Sequence, residues 1–140
     1  MQKDDVDRWL RGYIEAWQTY DPERIVELFS ADVSYRYHPY DEPLRGREAV
    51  VASWLAESAS APDGASTRDE PGTYEACYET IAVEGDTAVA TGTTRYHPAP
   101  GTPSNRAFDN CFVMRFDADG RCREFTEWYM ERPARGAAFT

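Results

Sequence analysis

Glu127 stands between Phe125 and Tyr129, and the period of two along a strand puts those three side chains on one face. A carboxylate held in apolar surroundings resists ionisation, so its pKa rises and it can serve as acid or base near neutrality. If the register is shifted by one residue, the same group faces solvent, where acidic side chains are usually found. Upstream, Phe108, Asn110, Phe112, Met114 and Phe116 share a second face that is apolar except for Asn110. A buried amide needs partners, so Asn110 either binds a substrate carbonyl or hydrogen-bonds a neighbour such as Tyr37.

Tyr13, Tyr35, Tyr37 and Tyr129 could present hydroxyls to a ligand, or could be core aromatics. Trp17, Trp54 and Phe112 are candidates for pocket walls, with packing as the alternative. His38 and His97 sit beside prolines, His38 close to Asp41 and Glu42, which raises a two-histidine, one-carboxylate metal site. No His-x-His spacing supports one, so no metal is expected and His38 is kept as an acid-base candidate. Cys77, Cys111 and Cys122 are odd in number and widely spaced, which fits neither a disulfide framework nor a zinc knuckle.

These residues need elements to position them. Val6, Trp9, Leu10, Tyr13, Ile14 and Trp17 follow helical spacing over residues 4–20, with Asp4 or Asp5 available as a cap. Asp21-Pro22 opens a second helix to about residue 29, with Ile25, Leu28 and Phe29 buried. Residues 32–37 alternate as a half-buried strand, a Pro- and Gly-containing loop follows, and a third helix runs from 47 to about 58. Residues 58–73 are a polar loop, expected to be mobile. Strands are expected over 74–83 and 87–96. A hairpin over 106–132 turns at Asp117-Ala-Asp-Gly120. Helices first and hairpins last indicate an α+β domain whose sheet curls over a helix.

Composition bounds the partners. The chain has 140 residues, enough for a single domain spanning 1–140 that buries about 68–70% of its unfolded surface. Lys plus Arg number 15 against 25 Asp plus Glu, and the resulting −10 charge argues against nucleic acid or anionic membrane as a partner. No apolar run approaches bilayer-spanning length, and Met-Gln-Lys-Asp-Asp lacks the features of a signal peptide, so a cytoplasmic location is expected.

The helix with Tyr13 and Trp17, the 21–29 helix, the strand from Asp32, the Pro43-to-Gly46 loop ahead of a helix, and the hairpin ending in Glu127-Trp128-Tyr129 form a recognisable order. Along nearly the whole chain it resembles the nuclear transport factor 2-like superfamily, which includes SnoaL-like polyketide cyclases, ketosteroid isomerases and limonene epoxide hydrolases. The resemblance implies a cone-shaped curved sheet, mixed or antiparallel, wrapped around a long N-terminal helix, with three helices, an internal pocket and homodimers through the outer sheet face. Tyr13 falls where ketosteroid isomerases carry an oxyanion-binding tyrosine. Tyr37 stands where their general-base aspartate belongs, and Phe112 where a second oxyanion-hole acid belongs, so steroid isomerisation is not implied. Against the cyclases' His-Trp-Asp, the sequence Phe125-Thr126-Glu127 keeps the acid and lacks the histidine.

The expectation is a cofactor-free cyclase, isomerase or hydrolase acting on a small apolar molecule. Glu127, His38 and Tyr13 are its catalytic candidates. Trp17, Tyr35, Tyr37, Trp54, Asn110, Phe112 and Tyr129 are its ligand-binding ones. The alternative is a non-catalytic ligand-binding or assembly module on the same fold.

Overall fold

Val6, Trp9, Leu10, Tyr13 and Ala16 form one buried stripe along helix α1, Lys3–Thr19. The computed structural model describes residues 1–56 and 69–133. The cap of α1 is Gln2 rather than Asp4 or Asp5, and the Gln2 N–H donates to Asp5 Oδ2 at 2.9 Å. Helix α2, Pro22–Leu28, begins as the sequence suggests, with Asp21 Oδ1 accepting from the Glu23 N–H at 3.0 Å. Phe29, expected on the helix, has already left it with an extended backbone. It opens strand β1, Phe29–Arg36, where Phe29 and Ser30 are both buried, so no alternation marks the strand's true start.

The segment expected as a plain loop contains a short strand, β2, Leu44–Arg45, paired antiparallel to β1 through Tyr35 and Leu44. Two residues are too few for periodicity to reveal. Helix α3, Arg47–Trp54, stops short of the expected residue 58. The mobile-loop reading of 58–73 lies outside the described residues except for 69–73. Strands β3, Tyr74–Glu84, β4, Thr87–Tyr96, β5, Arg106–Phe116, and β6, Cys122–Glu131, form the antiparallel meander.

The sheet order is β2-β1-β6-β5-β4-β3, and β1 runs parallel to β6. The first long strand therefore docks beside the last. The result is a six-stranded mixed sheet curled over α1, the α+β cone. The Trp9 and Tyr13 rings sit against Phe116, Phe112 and Phe125, with centroids 5.6–6.2 Å apart. Two polar contacts fix the helix in the cone. Trp9 Nε1 donates to the Leu28 carbonyl at 2.9 Å, and Asp7 Oδ1 accepts the Thr80 N–H at 3.0 Å where β3 shifts register. The Lys3 ammonium and the Thr80 N–H hold the Asp7 carboxyl down to about 2.

Gly92 lets β3 and β4 approach where Tyr78, Gly92 and Asn110 stand side by side. A Cβ there would lie 2.0 Å from the Cys77 carbonyl oxygen and 2.7 Å from the Tyr78 Cα, both backbone atoms that cannot swing aside. Gly92→Ala should lower unfolding free energy by about 3 kcal/mol or more, read by urea denaturation. A loss below about 0.5 kcal/mol would mean that the strands do not approach this closely.

Candidate functional site

Four polar side chains on the concave face stand in line across four consecutive strands. The Tyr78 hydroxyl on β3 lies 2.8 Å from Thr94 Oγ1 on β4, which donates to Asn110 Oδ1 on β5 at 2.9 Å. Asn110 Nδ2 then donates to Glu127 Oε2 on β6 at 2.8 Å. Because Thr94 spends its single proton on Asn110, the proton between Tyr78 and Thr94 comes from the tyrosine. Every donor thus points toward Glu127, and such a chain polarises itself cooperatively. With Glu127 ionised the Asn110 amide orientation follows, since a carboxylate can only accept and so takes Nδ2, which leaves Oδ1 to accept from Thr94.

Register delivers this alignment. Asn110 pairs with Tyr129 and Phe112 with Glu127, so Phe125, Glu127 and Tyr129 point to the same side as Asn110. Of the two orientations open in the sequence, the inward one is found. Burial among aromatic rings pushes the Glu127 carboxyl up to about 7, opposed by the Asn110 hydrogen bond and by His38. Asn110 is itself buried, and its partners are Thr94 and Glu127. Tyr37, its suggested neighbour, bonds Ser53 Oγ at 2.7 Å instead.

Glu127 opens onto a cavity of about 500 Å³, within the size range of small-molecule sites. Tyr13, Trp17, Tyr35, Tyr37, Trp54, Asn110 and Tyr129 all line it. Phe112 does not: it is fully buried behind the wall, packed on Tyr13, Tyr78 and Phe125, and so supports the lining rather than meeting a ligand. His38 is not in the lining either. Its Nδ1 lies 2.9 Å from Asp41 Oδ2 and its Nε2 lies 2.7 Å from the Tyr129 hydroxyl, so it touches the cavity through Tyr129. His97 is elsewhere, beside Thr102 and Glu75. Among the described residues no His, Cys, Asp and Glu cluster could hold a metal. A wider groove of about 960 Å³ lies along α1 beside Asp5, Arg8, Arg24 and the 117–120 turn, away from this polar chain.

Two donors in the cavity wall are conspicuous. The Tyr35 hydroxyl and Trp54 Nε1 are buried and make no well-aligned hydrogen bond among the described residues, although Tyr35 stands close enough to Trp54 and Tyr13 for both to act on its hydroxyl. Such groups are costly to leave unsatisfied, about 1–3 kcal/mol each, and both side chains border the cavity.

Sequence reasoning missed Tyr20, Ser53, Asp69, Tyr78, Thr94, Tyr96, Arg106 and Phe108, which also line the cavity. For Tyr78, Thr94 and Tyr96 the signal was available, because β3 and β4 alternate as β5 does. Asp69 had none, since it lies in a segment without period. Tyr20 ends α1 in the left-handed conformation, with φ of 49°, and its hydroxyl accepts from Trp17 Nε1 at 3.1 Å and the Asp69 N–H at 3.0 Å.

Glu127 should leave a mark on stability. Between pH 4.5 and about 7 the unfolded chain releases this proton while the folded one retains it, so stability falls as pH rises through that window. The loss is on the order of 3 kcal/mol. Glu127→Gln keeps an acceptor for Asn110 without the charge. The variant should match the parent at pH 4 and exceed it at pH 8 in chemical denaturation. A variant no more stable at pH 8 would place Glu127 in water.

A family model described as SnoaL-like domain matches residues 10–125, from the middle of α1 through the first half of β6, and stops two residues before Glu127. No curated protein matches the chain. The match covers most of the sequence and agrees with the order of elements and the curled sheet. The chain therefore belongs to the SnoaL-like domain family of the nuclear transport factor 2-like superfamily.

Proposed function

We propose that the 140-residue chain works as a single domain and is a cofactor-free acid/base enzyme, of the cyclase, isomerase or hydrolase type, on a small and largely apolar substrate. The observation that carries this reading is Glu127, a carboxyl with its pKa near 7 at the end of a four-residue donor chain, inside an aromatic cavity. At neutral pH its two protonation states are comparably populated, so it can take a proton from carbon and return it. The Tyr35 hydroxyl and Trp54 Nε1 supply the complementary function. They donate to a substrate oxygen as charge develops on it, with Tyr13 completing that wall.

His38 acts at one remove. With Asp41 accepting from Nδ1, its Nε2 accepts the Tyr129 proton and orients that hydroxyl toward the ligand. Proton transfer by these groups requires no metal or organic cofactor. The −10 charge disfavours nucleic acid as a partner, and no described helix is long and apolar enough to cross a membrane. The outer sheet face carries Trp128 and Met130, 44% and 77% exposed, which a second copy of the chain would cover in a homodimer. A cytoplasmic location fits the same reading.

Carbon-to-solvent proton exchange tests the chemistry without a known substrate. Small aryl ketones and enones in deuterated water should exchange α-protons faster with the protein present, the rate rising with pH and levelling above about 7. Glu127→Gln should slow exchange by about 10²–10⁴-fold. Equal rates for parent and variant, or no acceleration across the panel, defeats the proposal. Thr94→Val removes the donor that orients Asn110. It should move the inflection of the profile upward and cost about 1–2 kcal/mol of stability; an unmoved inflection would show that the donor chain does not tune Glu127.

A further inference from the structure

One end of the cavity is built differently from the Glu127 end. Asp69 Oδ2 accepts from Trp17 Nε1 at 3.1 Å, and the Asp69 N–H donates to the Tyr20 hydroxyl at 3.0 Å, so the carboxylate is held in place by two aromatic residues. It is half-buried, and no basic side chain among the described residues pairs with it. Around it stand π faces. Trp17 stacks on Tyr74 with centroids 4.3 Å apart and meets Tyr96 edge-on at 6.3 Å, and Tyr96 meets Phe108 at 5.7 Å. Tyr74 fixes this arrangement by donating its hydroxyl proton to the Trp17 carbonyl at 2.8 Å.

The charge balance of the lining has one sign. Among the described residues Arg106 is the one cation that lines the cavity, and it is bound to Glu131 by two hydrogen bonds of 2.8 and 2.9 Å. Its guanidinium also lies 5.1 Å from the Phe108 centroid, so a cation on an aromatic face already occurs at this rim. Among the described residues neither Glu127 nor Asp69 is paired with an arginine or lysine, and Tyr96 stands within electrostatic reach of both. Rings that present negative π faces, together with two carboxyl groups and a neutralised arginine, select for positive charge on an apolar body.

We propose that the Asp69, Trp17, Tyr20 and Tyr96 end of the cavity is a subsite for an organic cation, an ammonium group carried on the apolar substrate. This rests on the reading of the cavity as a substrate site and names the substrate class. The ammonium sits against Asp69 and the faces of Trp17 and Tyr96, which leaves the reacting part of the molecule toward Glu127, Tyr35 and Trp54.

The test uses three ligands of similar shape: benzyltrimethylammonium, its uncharged carbon isostere neopentylbenzene, and anionic phenylacetate. Binding to the full chain is followed by tryptophan fluorescence and calorimetry. The ammonium should bind about tenfold more tightly than the isostere, and phenylacetate least. Asp69→Asn should weaken the ammonium about five- to tenfold while changing the isostere by less than about twofold. Tyr96→Leu, which keeps apolar bulk and removes the π face, should act in the same direction, and thermal melts report whether either variant is folded. Isostere or phenylacetate binding at least as tightly as the ammonium overturns the proposal. So does an undetectable ammonium interaction, or an Asp69→Asn variant that weakens all three alike. Glu127's titration is measured separately: a raised value with no cation preference sinks the subsite alone, and an ordinary value sinks the acid/base reading while the ammonium affinity still reports on Asp69.

Discussion

A carboxylate cannot be left in an aromatic cavity without something to hold it, and the line Tyr78, Thr94, Asn110, Glu127 is what holds this one. Each member sits on a different strand, so the chain of hydrogen bonds runs across the sheet at right angles to the backbone. It exists only if all three strand registers are right. A slip of one residue in any pair would turn a polar member outward and leave its neighbour buried and unpaired. The same line sets the carboxyl's ionisation, because Asn110 is the donor that keeps Glu127 near neutrality where burial alone would drive it higher. Register and ionisation are therefore one constraint.

Helix α1 makes that constraint possible by dividing the interior. At one end Trp9 packs edge-on against Phe29 and Phe116 and is pinned to the Leu28 carbonyl, so these rings fill the cone's interior there and the 960 Å³ groove lies on their outer side. One helical turn later Tyr13 meets Trp54, Tyr78, Phe112 and Phe125, and beyond it Trp17 borders open space. The amphipathic stripe therefore passes from core to cavity wall along its length. Asp7 prevents sliding, since it takes a backbone N–H of β3 at the strand's irregularity and so locks helix to sheet at a single position.

Period-two alternation made the hairpin face readable, and with it Glu127 and Asn110, because every other residue there is apolar and the two polar ones stand out. The alternation of β3 and β4 put Tyr78 and Thr94 on a face in the same way, but on a strand that also carries Thr87, Thr91 and Thr93 nothing singles Thr94 out, and its role comes from reaching Asn110 diagonally across the β4–β5 pair. The pairing of β1 beside β6 joins residues some ninety positions apart, and no local pattern encodes that. Phe112 was misread because a face names the side of a sheet and not the depth behind a cavity wall. His38 was read as a site residue on its chemistry, yet it reaches the cavity only through Tyr129. Asp69 lies in a segment with no periodicity, and its place comes from contacts with Trp17 and Tyr20.

The unfavourable features of this fold are concentrated around the cavity. A carboxyl resisting ionisation, a left-handed tyrosine, and a Tyr35 hydroxyl and Trp54 Nε1 that lack well-aligned hydrogen bonds among the described residues all border the same space. Each is destabilising by roughly 1–3 kcal/mol on its own, and a protein of ordinary stability tolerates few of them. Thr80 Oγ1 is the exception, buried and unpaired outside the cavity, next to the Asp7 contact. At the closed end the balance is reversed, with interlocking rings, a satisfied indole and a carboxylate held at low pKa. A fold selected only for stability would fill the space or pair those groups. Under the proposed reading, the groups that lack well-aligned partners among the described residues around this cavity are the ones a ligand would satisfy.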